Sequence, residues 1–200
     1  QVYSASGFAS ASDKRIKTEI VDVPDNLALT YLRDIPCRYY KYIDRPNQRK
    51  TIGFIAQEVK EVFPIAVFTI SNFIPNIMET ISGEWIERDD GKYDLSSSFF
   101  TDISFGDYKF HLREDINSTY DIEKKITMNT NRTFTFEKIY YTVFCYGIEV
   151  NDFNSLDKQK LFALNFSATQ ELDRQQQADK ARITQLETEL AAIKHHLGLA

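Results

Sequence analysis

The sequence predicts an α+β fold in which short helices and an antiparallel sheet precede a long C-terminal helix. Three observations carry this prediction. Apolar residues recur at helical spacing in two stretches before residue 70, and short aromatic and β-branched runs fill the middle of the chain. A heptad pattern uninterrupted by proline or glycine occupies its end.

The first of 200 residues, 1–11, are small and polar without periodicity and read as an upstream linker or client tail. Leu27, Ala28, Tyr31, Leu32 and Ile35 then lie on one helical face, with Asp25 or Asn26 as cap and Pro36 as terminator. An aromatic strand is expected over 37–43, and Arg45-Pro46-Asn47-Gln48 reads as the turn after it. A second helix is predicted over 56–63, because Ile55, Val59 and Val62 share a face and Pro64 stops it. From residue 84 to 150, runs such as Ser98-Phe99-Phe100-Thr101-Asp102-Ile103 and Arg132-Thr133-Phe134-Thr135-Phe136 predict antiparallel strands, the clearest spanning 139–150. Residues 12–150 are thus expected to form a globular α+β domain and 151–200 the long helix, capped from within 151–155.

Composition narrows the function classes. With 42% hydrophobic and 14% aromatic residues, the chain can bury a core of ordinary size. The 24 basic and 29 acidic side chains give a net charge of −5 without a basic cluster, which argues against nucleic acid as a ligand of this segment. No apolar run approaches a membrane span and no signal-peptide pattern opens the chain, so a soluble piece of a longer polypeptide is expected, with no membrane partner. Cys37 and Cys145 lack a second thiol or histidine at ligand spacing and read as reduced cysteines, and neither a metal site nor a cofactor is expected. His111 falls in a strand-like run and His195 and His196 on the helix end, so none is assigned to catalysis.

Ile183, Leu186, Leu190, Ile193 and Leu197 follow one another at intervals of 3, 4, 3 and 4, placing them at alternating a and d positions. In a parallel bundle Arg182 then faces Glu187, and Glu189 faces Lys194, of the neighbouring chain; both pairs have opposite sign. An amphipathic helix packed on its own domain would explain the stripe but not these charges. Mixed Ile and Leu in the seam lean toward three strands, hence a parallel trimeric coiled coil with these five residues as the interface. Upstream, Gln176 and Asp179 put two polar layers in the seam, and Leu161-Phe162-Ala163-Leu164-Asn165-Phe166 is apolar nearly all round, as expected of a buried stretch.

One constellation carries chemistry. Ser12-Asp13-Lys14-Arg15-Ile16-Lys17 sets a serine and a lysine five positions apart, a spacing that an N-capping Ser12-Asp13 before a basic segment also explains. It is followed by Gly53-Phe54-Ile55-Ala56-Gln57-Glu58-Val59 and, before the coiled coil, by Ala168-Thr169-Gln170-Glu171-Leu172. In this order the three segments resemble the intramolecular chaperone auto-processing domain of phage tailspikes, neck appendages, endosialidases, some large-virus proteins and the myelin regulatory factor proteins. The resemblance covers roughly residues 12–67 and 146–200, while 72–145 carry no matching motif.

The resemblance implies a homotrimer that assists folding of a β-rich domain fused ahead of it and then cuts its own chain before the serine. The scissile bond becomes Ala11-Ser12, with Ser12 as nucleophile and Lys17 as general base, and no third catalytic member is required. Asp13, Gln57 and Glu58 stand as supporting candidates; for the latter two a solvated helix face fits equally well. A viral member would work in the host cytoplasm during virus assembly and leave the virion or stay with it. Two alternatives share the motifs: a permanent, non-cleaving trimerisation or adhesion module of a viral fibre, and the processing domain of a membrane-tethered transcription factor.

A serine hydroxyl attacks a carbonyl only as its proton is removed, and a neutral lysine amine does this well. At pH 7 an ordinary lysine, of pKa about 10.4, is neutral to only about 0.04%, so the chemistry demands burial. Positions 12 and 17 differ by about 140° on a helix and face opposite sides of a strand. A turn between them, or a lysine from another subunit, must therefore complete the site.

Overall fold

The computed structural model describes residues 12–45, 47–119 and 121–199. The expected linker, 1–11, lies outside the described residues. The chain divides into two compact units, one of residues 1–34 with 159–200 and one of residues 35–158.

The second unit opens with an antiparallel pair, β1 (Arg38–Tyr40) and β2 (Thr51–Gly53), followed by α2 (Ala56–Val62), with α1 of the other unit preceding them at Asp25–Asp34. Strand β1 covers only part of the predicted 37–43. A 3-10 turn at Pro64–Ala66 leads into β3 (Val67–Phe73), a strand the periodicity does not announce because most of its side chains are exposed. Then come β4 (Glu79–Thr80), β5 (Glu84–Glu87), β6 (Tyr93–Ser96), β7 (Asp107–Arg113), β8 (Ile122–Thr127), β9 (Phe134–Phe136) and β10 (Thr142–Leu156). One sheet runs in the order β3-β10-β7-β8 with β4 also on β10, another in the order β5-β6-β9, and every pairing is antiparallel.

Two sequence expectations fail here. The run 98–103 is a 3-10 turn at Ser98–Thr101 and not a strand. The Ser97 hydroxyl accepts from the Phe99 amide to cap the turn, and Phe100 is driven fully into the core. Strand β10 also continues past residue 150 to Leu156, so the helix starts at Lys158 and not within 151–155. Pairing of 153–156 with β3 satisfies the backbone of the residues that would otherwise cap a helix.

The core of this unit is aromatic. Phe134 stacks edge-on against Phe100, Phe110 and Tyr108 at centroid separations of 4.8, 4.9 and 5.4 Å. Each such ring contributes roughly 1.5–3 kcal/mol through burial, and edge-to-face pairs add about 0.5–1.5 kcal/mol. Leu95, Leu112, Val143 and Cys145 complete the packing, and burial pushes the Cys145 thiol up to about 12, leaving it inert. Both cysteines are free, with Cys37 exposed.

In the first unit, α3 (Lys158–His196) is 39 residues of good helix formers without glycine or proline, about 58 Å at 1.5 Å per residue. Gly198, at φ 65°, ends it in the left-handed conformation that favours glycine. Asp25, the first residue of α1, does not cap its own helix. Its carboxylate accepts from the Ser167 hydroxyl of α3 at 2.5 Å and pairs with Arg174, which also pairs with Glu171. Ala28 and Leu29 on α1 and Leu164 and Ala168 on α3 are buried. Of the apolar run 161–166, however, only Leu164 is buried, while Phe162 and Phe166 are 69% and 61% exposed.

Candidate active site

A short 3-10 turn, Lys14–Ile16, organises the serine-lysine segment. Asp13 precedes it in extended conformation, and its carboxylate accepts the Arg15 amide at 2.8 Å, the usual work of an N-cap. The Arg15 guanidinium returns to the same carboxylate in a two-point contact, Nε to Oδ1 at 3.0 Å and Nη2 to Oδ2 at 2.7 Å. That contact holds the Asp13 carboxyl below the ordinary carboxylate range and the Arg15 guanidinium above its own. Asp13 is thereby committed to the turn.

Backbone bonds from Ile16 to the Asp13 carbonyl and from Lys17 to the Lys14 carbonyl close the turn. Lys17 then resumes extended backbone, and its side chain reaches back so that Nζ donates to the Ser12 Oγ at 2.6 Å. Two residues on, Glu19 adopts a left-handed conformation, φ 52°, at a cost of roughly 1–2 kcal/mol for a residue with a Cβ. The pairing of Ser12 with Lys17 is thus made within one chain, across a turn, where neither helix nor strand would allow it. Both side chains are solvent-exposed in the single chain. Ala11, on the other side of the expected scissile bond, lies outside the described residues.

Gln57 and Glu58 belong to the other unit, in the first turn of α2. Glu58 accepts a forked contact from Arg38 of β1, with Nε at 3.1 Å from both oxygens and Nη2 at 2.9 Å from Oε1. This pair raises the Arg38 guanidinium further above its ordinary range and ties α2 to the β1-β2 pair. Gln57 is exposed. Gly53, also in the motif, sits against the Tyr40 ring: a Cβ there would lie 2.8 Å from the Tyr40 hydroxyl and require that side chain to shift.

The heptad residues occupy the distal part of α3, with Leu197 just past its end, and are all open to solvent, Ile183 at 54%, Leu186 at 45%, Leu190 at 51%, Ile193 at 55% and Leu197 at 61%. Five large apolar side chains in one stripe are costly to leave in water. Exposed apolar residues also crowd the serine-lysine segment, with Ile16, Ile20, Val21 and Val23 between 55% and 84% exposed. Sequence reading misses the Arg15 clasp on Asp13 and the Asp25–Ser167–Arg174 tie. The first has a local signal in the Asp-x-Arg spacing; the second spans 142 positions and has none.

Among the described residues no group of three or more His, Cys, Asp or Glu is placed to hold a metal ion, and no helix is long and apolar enough to cross a membrane.

Comparison with known proteins fits this geometry. Residues 12–68 match the family model described as chaperone of endosialidase, a stretch that begins at the serine and takes in Lys17 and the Gly53–Val59 motif. Over 94% of its length the chain is 27% identical, in an alignment of 237 positions, to the uncharacterized protein VP1 of Micromonas pusilla reovirus (isolate Netherlands/2005). It spans 12% of that protein's length. Over residues 12–68 the chain is thus similar to the chaperone of endosialidase family, whose name also marks a peptidase, and the relative it resembles along most of its length is viral.

Proposed function

We propose that this chain is a trimeric intramolecular chaperone that assists folding of a β-rich domain fused ahead of residue 12 and then cuts the Ala11-Ser12 bond itself. The observation that carries the reading is the 2.6 Å contact between Lys17 Nζ and Ser12 Oγ, inside the segment that matches the chaperone family. Neutral Lys17 takes the Ser12 hydroxyl proton as Oγ adds to the Ala11 carbonyl carbon. The carbon–nitrogen bond to Ser12 then breaks, its amine leaving with the proton, and water hydrolyses the resulting ester to an Ala11 carboxylate and a free hydroxyl. Nucleophile and carbonyl belong to adjacent residues, so orientation supplies several kcal/mol of the acceleration.

A turn already pairs the dyad within one chain, which leaves desolvation as the contribution of assembly. A lysine amine accepts the serine proton only in its neutral form, which a desolvated site favours. Association through the α3 stripe and the apolar residues around Lys17 would bury the pair, so that cutting waits on correct assembly. The same exposure is what a permanent, non-cleaving module of a viral fibre would show, which makes that the second reading. The viral relative favours a fibre setting over a membrane-tethered transcription factor.

Lys17→Arg separates the readings. Arginine keeps the charge and the reach but does not deprotonate. On refolding from denaturant the variant is expected to assemble and stay uncut, with the wild type cut; equal cutting in both would exclude Lys17 as the base.

A further inference from the structure

The larger sheet carries a cleft on the face turned away from its aromatic core, about 510 Å³ in volume and within the range of small-ligand sites. It lies in the second unit, and of its lining residues only Asp44 falls within the segment that matches the chaperone family. Strand β7 sends Tyr108, Phe110 and Leu112 into the core and, by the alternation of a strand, Lys109 and His111 to this cleft. Phe144 and Tyr146 of β10 line it beside them, with Asp44 and Met78.

The backbone departs from regularity twice at this place. Cys145 pairs with Phe110 and Gly147 with Lys109, so Tyr146 is the extra residue of a β-bulge, the device that re-aims a side chain. Opposite, Met78 holds a left-handed conformation at φ 57°, and its amide and that of Ile77 both donate to the Tyr146 carbonyl. A Cβ on Gly147 would lie 1.9 Å from the Ile74 carbonyl, so only glycine fits beside the bulge. Such departures cluster where a side chain is presented for binding.

The polar groups in the cleft are only partly committed. Lys109, only 18% exposed, lies over the Tyr146 ring at 4.1 Å and forms a long ion pair with Glu123 at 3.9 Å, beyond a hydrogen bond. The His111 ring touches the Phe144 and Tyr146 rings and makes no side-chain hydrogen bond among the described residues. Burial, with Asp44 nearby, holds the Tyr146 phenol above its ordinary range, so it stays a donor, and it spends that donor on Asp44 at 3.3 Å. The cleft therefore combines an apolar ring, an ammonium whose ion pair leaves its hydrogen bonds open, an imidazole and a carboxylate with room to accept.

We propose that this cleft binds a neutral saccharide. The Phe144 ring would take the carbon–hydrogen face of a sugar, Lys109 and His111 would donate to its hydroxyl oxygens, and Asp44 would accept from a hydroxyl. Charge decides against the alternatives: Asp121 is matched by Arg113 and Lys109 by Glu123, so an anion finds no free cation beside Asp44, and Lys109 on the floor disfavours a cation.

The test uses the full 200-residue chain and saturation-transfer NMR with lactose, cellobiose and maltose as probes, and 3′-sialyllactose as the anionic control. At least one neutral sugar is expected to bind, roughly tenfold more weakly to Phe144→Ala and about threefold more weakly to Asp44→Asn, with sialyllactose no tighter than lactose. Should Phe144→Ala fail to fold, His111→Ala and Asp44→Asn decide. No transfer to any neutral sugar, tenfold tighter binding of sialyllactose, or unchanged binding by a folded cleft variant overturns the proposal.

Discussion

The sheet unit and the serine-lysine segment with its long helix solve the burial problem in opposite ways. In the sheet unit, Tyr108, Phe110, Phe100, Phe134, Leu95 and Leu112 are all at most 1% exposed, so the core closes within one chain. In the other unit, Ile16, Ile20, Val21, Phe162, Phe166 and the five heptad residues stand at 45% exposure or more. The sheet unit leaves large apolar groups in water as well, Tyr39, Ile43, Ile52, Ile65, Ile116 and Tyr141 among them, but the heptad residues of the open unit fall in one periodic stripe. On the proposed function, that stripe puts self-association on the unit that also carries Ser12 and Lys17.

The largest effect should come from breaking the open unit. Leu190→Asp with Ile193→Asp places charge in the stripe and is expected to leave a monomer by sedimentation, with cutting reduced by about 100-fold or more as the site loses its burial. Near-UV circular dichroism of the aromatic core should be unchanged. A monomeric double variant that cuts at the wild-type rate would separate the chemistry from assembly.

Next in size is the closed unit. Phe134→Ala removes the ring at the centre of three edge-on contacts and should cost about 3–5 kcal/mol in urea unfolding. Because that core is complete in one chain, the loss should not vary with protein concentration, whereas melting of the α3 association should. Gly147→Ala forces a Cβ against the Ile74 carbonyl and is expected to cost about 1–3 kcal/mol. An unchanged unfolding midpoint would mean that the bulge relaxes freely.

The smallest effect is a pH dependence in the open unit. The Ser167 hydroxyl first, and then Arg174, hold the Asp25 carboxyl below its ordinary range. A depressed carboxylate contributes stability that is fully present above its unfolded value of about 3.9 and is lost as pH falls through the lower folded value. The helical melting midpoint should therefore drop below about pH 4, and Asp25→Asn should remove that component of the drop.

How far these regions were legible in the sequence follows the range of the forces that shape them. Helix α1, helix α2 and the heptad stripe were readable because their signals are local: caps, a terminating proline and apolar periodicity. Strand β3 was missed because its exposed residues break the alternation and its partner, β10, lies some 80 positions away. The same pairing carried β10 through residues that look like helix caps. The candidate site was legible as residue types and order, through its motifs. Its geometry was not, because the 3-10 turn rests on the clasp of Arg15 on Asp13, and the spacing of Ser12 and Lys17 alone left open whether one chain or two would complete the pair.

The central claim is tested most directly by intact mass and N-terminal sequencing of freshly purified protein beside a Ser12→Ala variant. A wild-type product that begins at Ser12, with the variant remaining full length, is the predicted result. Full-length protein in both would contradict self-cleavage and leave a permanent trimerisation module as the function of this fold.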